Sequence, residues 1–496
     1  VGMSNLGYQA IYRILNETPH ALAERVFLPG PGEGAPRAEE SGRPLADFDV
    51  VAFSVSFEPD YLNLLRILGG AGVPLASRDR GEDDPLVLAG GVACFLNPEP
   101  VAEFVDVFAL GEGEEIAREI AATLAATKGR LKRERLRELA RIRGLYVPEF
   151  LDVAYNEDGT IAAVRSTIDQ PPTVPRVQLS RLGDEPTSSV VLTDDTEFGG
   201  MYLTGVNRGC PQGCRFCTAG FIYLPMRQRS VETLAKEVDK AVASGKRIGF
   251  VGTALADYRP LKQLWREAIA RGAEASPSSF RIECVDEEVA SLFHEAGMQT
   301  ATVAPDAAGE RMRRIIRKEM TRPQLLRTIR TLRAGGTPNL KLYYIVGLPW
   351  ETPADLREMV DEIRAARDAF VDASRPFGRI GTFTVSLNCF VPKPFTPLQW
   401  APMEDPRSLE RKLRSIKKEI GRIGGVTLHH EQPREALLQT VLSVGDRRTA
   451  AVLRAAYENG GDWRKAFEAS PLPFEWYAYR EKGEREILPW DFIIGT

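Results

Sequence analysis

The sequence predicts an α/β chain in three parts: an N-terminal doubly wound domain, a central run of βα units suited to a partial barrel, and a helical C-terminal region. Three observations carry this. Short apolar runs alternate with helical patterns up to about residue 148, which implies a parallel sheet with crossover helices. The same alternation recurs roughly six times between 200 and 400, and the last hundred residues carry apolar stripes at helical spacing. At 496 residues the chain is too long for a single core.

In chain order, Phe48–Ser56 and Pro85–Gly91 read as strands buried on both faces, and Val105–Glu115 contains another. Tyr61–Leu68 and Glu114–Thr127 read as the helices between and after them. Residues 149–199 differ. Asp158-Gly159 between two apolar runs predicts a hairpin, and the proline-rich and polar stretch that follows reads as a linker. From 200 to 400 the strand candidates are MYLTGV, RIGFVG, FRIEC, TATVAP, KLYYIVGLP and TFTVSLNCF. Six units in this length suit a partial (β/α)6 barrel better than a small open sheet, although periodicity alone does not separate the two. Residues 401–496 read as helical, with LERKLRSIKKEIGRI and DRRTAAVLRAAYEN as the clearest helices.

Composition restricts function. The chain is 43% hydrophobic and 27% charged with a net charge of −4, which leaves no electrostatic footprint for nucleic acid or an anionic membrane. The basic run Lys128–Arg143 spaces its leucines as an amphipathic helix does, so it reads as a solvated face. No apolar stretch reaches the length of a membrane span and no signal peptide is visible, so a cytoplasmic location is expected.

Six cysteines occur, and three of them, Cys210, Cys214 and Cys217, lie within eight residues in NRGCPQGCRFCTAGF. Gly209, Pro211 and Gly213 forbid a regular helix there, so the segment reads as a loop after the first barrel strand. A structural zinc site needs four ligands, and no fourth lies nearby in sequence. Three thiolates suit a [4Fe–4S] cluster with one iron left open to a ligand. Cys94, Cys284 and Cys389 stand alone in apolar surroundings and read as packing residues.

The C-x3-C-x2-C spacing, with Phe216 before the third cysteine, resembles the motif of the radical S-adenosylmethionine (SAM) superfamily. That resemblance implies a [4Fe–4S] cluster, SAM bound at its open iron, and reductive cleavage to a 5′-deoxyadenosyl radical. It assigns Gly252-Thr253-Ala254 to the turn that receives the methionyl amine, in place of the usual Gly-Gly-Glu. Arg281 and Glu283 would meet the SAM carboxylate or ribose. Asp306 stands where a glutamate contacts ribose, and Leu348, in YIVGLPWET, where the chain packs around adenine. FVPKPFTPLQW resembles the sixth-strand exit of cobalamin-type members, with Phe395 where histidine is frequent.

The run LVLAGGVACFLNPEPVAEFVDVFALGEGEE before such a core resembles the cobalamin-binding module of class B radical SAM enzymes. It is especially similar to a widespread bacterial branch that also carries SVGDRR and ILPWDFI. Gly90, Gly91, Glu99, Gly113 and Glu114 would then border cobalamin, with Ser54 and Ser56 leaving room for its tail. GMSNLGYQAIY lacks the histidine that many such modules supply to cobalt, so Asn5 or Tyr8 would occupy that space. Members usually carry a strand upstream of this run, so one is expected before Val1. The resemblance implies methylation of an unactivated carbon, with cobalamin-dependent cyclisation or rearrangement and a non-catalytic cobalamin or iron sensor as alternatives. An electron donor such as flavodoxin or ferredoxin is the implied partner, and the substrate is not identified. A methylthiotransferase is rejected, because its second cluster needs three further clustered cysteines.

Overall fold

A computed structural model describes residues 2–183, 187–277 and 281–495. The chain forms two compact units: residues 1–179 with 392–394 and 438–496, and residues 180–391 with 395–437.

The first unit is built on β1 (Val50–Ser54), β2 (Leu86–Gly90), β3 (Val107–Ala109) and β4 (Leu145–Tyr146), in that order in one sheet. β1, β2 and β3 run parallel, and β4 closes the far side antiparallel to β3. β2 is buried on both faces as its apolar run predicts, whereas Ala52 and Ser54 leave one face of β1 exposed. Leu86, Leu88 and Val107 pack with Ile116 and Ile120 of the helix Gly113–Ala126 and with Leu136 and Leu139 of the next helix. The helix Leu6–Glu17 begins where Asn5 caps it, Asn5 Oδ1 accepting from the Tyr8 amide at 3.0 Å.

β5 (Leu151–Tyr155) and β6 (Ile161–Ser166) make the predicted hairpin. The stretch expected to be a linker is held instead. β7 (Val174–Pro175) pairs with the strand Ile493–Ile494, and Val177 bridges to Gly111. The C-terminal region is likewise not one body. Residues 401–437 fold with the second unit, and 438–496 return to the first. There Val452 and Ala456 of the helix Ala450–Glu458 pack on Leu62.

The second unit carries β8 (Met201–Arg208), β9 (Arg227–Gln228), β10 (Arg247–Gly252) and β11 (Ala275–Pro277) in one sheet, ordered β11-β10-β8-β9. β12 (Thr300–Asp306), β13 (Asn339–Val346), β14 (Phe383–Cys389) and β15 (Thr427–His430) form another in sequence order. Among these strands every pairing is parallel except β9 on β8, with helices such as Val231–Ala243 and Pro353–Ser374 between strands, as a βα-repeat requires. Two expectations change. The third strand is Ala275–Pro277, while Ile282–Cys284 of FRIEC is a 3-10 turn and Phe280 lies outside the described residues. β15, inside the region read as helical, adds a parallel strand beyond β14.

Candidate active site

The three cysteines follow β8 directly, in a loop whose course depends on glycine. Gly209 has φ +89°, and a Cβ there would stand 2.3 Å from the Tyr223 carbonyl oxygen. Gly213 has φ +63° and faces the Arg317 guanidinium. The loop closes on itself through the Cys217 amide, which donates to the Cys214 carbonyl at 3.0 Å. It is also strapped to its surroundings. The Arg215 amide donates to Ile316 O at 2.9 Å, and Arg215 O accepts from the Leu398 amide at 3.2 Å. Phe216 packs against a buried cluster of Ala307, Met312, Ile316, Leu348, Phe390 and Leu398. The aromatic before the third cysteine therefore anchors the loop, and Leu348 is one of its supports.

The turn after β10 is knitted to this loop. The Thr253 hydroxyl donates to Gly209 O at 2.8 Å, beside the first cysteine. Asn207, the penultimate residue of β8, holds Ala254 through both its backbone groups, Nδ2 to the carbonyl at 2.7 Å and Oδ1 from the amide at 3.2 Å. Gly252 is glycine because a Cβ would fall 2.5 Å from Asn207 Oδ1. One lone pair of the Ala254 carbonyl is thus already engaged within the chain.

Cys214 sits in the field of Cys210 and Cys217, Cys217 in that of Cys210, and burial raises all three, Cys214 to about 11. Thiols held protonated by their surroundings bind a metal by losing those protons to it, since a coordinating thiolate is stabilised by the cation. Three thiols on one glycine-built loop fit a cluster that gives each thiolate its own iron.

Charged groups surround the loop. Lys318 acts electrostatically on all three thiols and pairs with the largely buried Asp306, which has φ +60° at the end of β12. Asp306 is therefore committed to a cation of its own chain, and burial raises its carboxyl. Arg281 caps the 3-10 turn 282–284 and pairs with Glu283 at 2.9 Å, so these two groups neutralise each other. Asp257, on the turn following Ala254, accepts from Gln212 Nε2 at 2.7 Å and acts electrostatically on Cys210. Neither Lys318 nor Asp257 was picked out from the sequence, because their distances of 101 and 40 residues from Cys217 hide the contact. The only signal was their place after strands β12 and β10. Phe395, at φ +63°, is fixed by its amide donating to Gln399 Oε1 at 2.8 Å. Cys94 and Cys389 are buried, and Cys284 Sγ donates to Arg281 O at 3.0 Å.

In the first unit the candidate residues divide. Asn5 Nδ2 donates to Ser56 Oγ at 2.7 Å, which brings the N-terminus of helix Leu6–Glu17 to the carboxyl end of β1 beside Ser54, with Gly90 ending β2. Tyr8 lies 6.1 Å from the Phe27 ring, and burial pushes its hydroxyl up to about 12. His20 is exposed beyond that helix, at φ 65°.

The other candidate positions and the neighbouring Gly111 lie close to other parts of the chain. A Cβ on Gly91 would stand 2.4 Å from Val55 O, and on Gly111 2.1 Å from Val177 O. On Gly113 it would meet Ile11 at 2.8 Å. At these glycines the chain itself approaches the backbone closely. Glu114 stands in the first turn of its helix, where a carboxylate complements the helix dipole. Glu99 is buried, accepting from Tyr146 Oη at 2.5 Å and pairing with Arg447 at 2.8 Å. Its carboxylate is spent on holding SVGDRR against the N-terminal domain.

Comparison with known proteins agrees with this architecture. The family described as radical SAM proteins, N-terminal, matches residues 7–148, and the radical SAM superfamily matches 205–363. The uncharacterised protein MJ0966 of Methanocaldococcus jannaschii is 25% identical over 82% of this chain and 80% of its own. The anaerobic magnesium-protoporphyrin IX monomethyl ester cyclase of Cereibacter sphaeroides is 24% identical over 68% of this chain and 48% of its own. Among solved structures, the radical SAM methyltransferase TsrM of Kitasatospora setae, with tryptophan substrate and a SAM analogue bound, aligns with TM-score 0.51. That match has 15% identity and covers 83% of this chain and 88% of TsrM, a likeness of fold.

Proposed function

The chain belongs to the radical SAM superfamily, and on that premise we propose that it is a cobalamin-dependent radical SAM enzyme that methylates an unactivated carbon. The observation that carries the radical SAM part is the cysteine loop itself. Three thiols stand within eight residues on a glycine-built loop that Thr253 and Asn207 tie to the turn after the second strand. Cys210, Cys214 and Cys217 would hold a [4Fe–4S] cluster, and SAM would lie against the turns after β10, β12 and β13. When bound, cluster and SAM supply a radical able to take hydrogen from carbon, and cobalamin supplies a methyl group.

The chain's own part is orientation. Phe216 and its apolar cluster fix the loop, Asn207 fixes the Gly252-Ala254 turn, and Lys318 places a positive charge beside the thiols. The corrinoid part rests on the carboxyl edge of the N-terminal sheet, where Ser54, Ser56 and Gly90 present small side chains next to the Asn5 helix terminus. Those residues and Tyr8 are the candidates this edge presents.

A second reading, ring formation without methyl transfer, is favoured by the likeness to the magnesium-protoporphyrin ester cyclase. One experiment separates the two. Reconstituted protein is incubated anaerobically with candidate substrates and methyl-labelled SAM, and the products are read by mass spectrometry. Methyl transfer predicts label in the product together with corrinoid retained on the protein. An unlabelled product lighter by two hydrogens would select cyclisation, and a protein that retains no corrinoid would remove the methylase reading.

A further inference from the structure

Lys482 brings the first unit a positive charge that its surroundings leave uncompensated. The residue is 6% exposed and lies on a small cleft that Asp446, Arg480 and Glu486 also line. Arg480 grips Glu486 through both terminal nitrogens, at 2.6 and 2.5 Å, and Arg448 pairs with Asp446 at 2.6 Å. Each carboxylate of the cleft is therefore matched by an arginine. Glu486, the carboxylate that acts electrostatically on Lys482, is thus already held by Arg480. The lysine amine donates to the Tyr477 carbonyl at 3.4 Å, a long bond. Lysine is rarely this buried without a paired charge, and a buried ammonium lacking one is costly.

A capping role explains little of this, because the helix that Tyr477 belongs to, Phe474–Ala478, is only five residues long. The cleft also carries a second donor in excess. Arg480 Nε is shut off from solvent with no hydrogen-bond partner among the described residues. Burial and Arg480 lower the lysine to about 8, so at pH 7 most of the amine still holds its proton. Two arginines against two carboxylates leave the lysine's single positive charge over.

That surplus selects an anion of single charge, since a dianion would set a second negative charge against Asp446 and Glu486. The remaining wall narrows the choice. Ile161 of β6, Trp476 and Leu488 line the same cleft, an apolar surface that a hydrocarbon end can cover and a halide ion cannot use. An ammonium bonded to a carboxylate oxygen is a charge-assisted pair, the stronger kind of hydrogen bond.

We propose that the Lys482 cleft is a binding site for a small monocarboxylate, one oxygen accepting from the lysine amine and the apolar end lying against Trp476 and Ile161. The contact is an ion pair in which no bond is made or broken. The site is built wholly from the first unit, so it stands apart from the reading of the cysteine loop.

The test uses the full chain at pH 7, with sodium acetate as the probe and sodium chloride at matched ionic strength as the control. Lysines are labelled with a trace of a small amine-reactive reagent, and the labelled positions are read by peptide mass spectrometry. Acetate at about ten times its dissociation constant should slow labelling of Lys482 about tenfold. Chloride should not, and the exposed Lys465 should label equally in both salts. In urea unfolding, acetate should raise the wild-type midpoint as the logarithm of its concentration and leave Lys482→Met unmoved. Lys482→Arg, which keeps the charge, should keep part of that shift, and its complete loss counts against the proposal. Equal protection by chloride, or a midpoint shift that survives in Lys482→Met, would overturn the assignment. So would a Lys482 that the reagent never reaches or that acetate does not protect. Should Lys482→Met fail to fold, the labelling of wild type still decides.

Discussion

Gly209 and Lys482 show how much rests on single positions. Gly209 adopts φ +89° with backbone packed where a Cβ would be. Gly209→Ala should cost on the order of 3 kcal/mol and displace Cys210, lowering iron content on reconstitution. Iron equal to wild type would show that the loop tolerates the shift. Lys482 is buried in the C-terminal part of the first unit, where its amine donates to Tyr477 O at 3.4 Å. Burial and the neighbouring Arg480 lower it from 10.5 to about 8. Its folded value lies below its unfolded one, so the unfolded chain holds the proton more tightly and stability rises with pH between about 8 and 10.5. Lys482→Met should therefore be more stable than wild type at pH 7, by a margin on the order of 3 kcal/mol that shrinks through that window. Denaturant titrations at several pH values check this, and a margin independent of pH would contradict it. At this scale the cysteine loop was legible, because glycine and proline beside close-set cysteines leave few other structures. The chain contacts of Glu99, Gly91 and Gly113 were not. A glycine that admits a ligand and one that admits Val55 or Ile11 are spelled alike.

At the scale of elements, SVGDRR works as a staple. Asn97 Nδ2 donates to the carbonyls of Ser443 at 3.0 Å and Gly445 at 2.7 Å. Arg447 pairs with Glu99, and Arg448 pairs with Asp446 while its guanidinium lies 3.7 Å from the Tyr155 ring centre. Arg447→Met would leave the buried Glu99 carboxylate with Tyr146 alone, which should cost about 3–5 kcal/mol. Glu99→Gln combined with Arg447→Met should cost less than the sum of the two changes. Additive losses in urea unfolding would show that the pair is not coupled. Element prediction succeeded where apolar runs were long, as in β2, β8 and β13. It failed at the third strand of the second unit, where Ala275–Pro277 is too short and too polar to outscore FRIEC. It failed again at β15, whose four residues Thr427–His430 hold one apolar side chain and two adjacent histidines and follow a strongly amphipathic helix.

At the scale of the molecule, both α/β units were visible as alternating periodicities, but the path of the C-terminal region was not. Its return to the first unit depends on Glu99–Arg447 and on Leu62 against Val452 and Ala456, pairs hundreds of residues apart. Ending the chain after residue 437 should thus expose the helix Tyr61–Gly70 and the Glu99 carboxylate. The N-terminal unit should then be cut by protease under conditions where the full chain resists, and equal resistance would refute this dependence. The central claim concerns the second unit, where the cysteine loop is read as the seat of a redox cluster that cleaves SAM. Its most direct measurement is 5′-deoxyadenosine formed from SAM by anaerobically reconstituted, chemically reduced protein, alongside iron content. Wild type should bind about four irons and form the nucleoside. Cys210→Ala, Cys214→Ala and Cys217→Ala should each abolish it, while Cys94→Ala, Cys284→Ala and Cys389→Ala retain it. Nucleoside formation surviving in any of the first three variants would contradict the account.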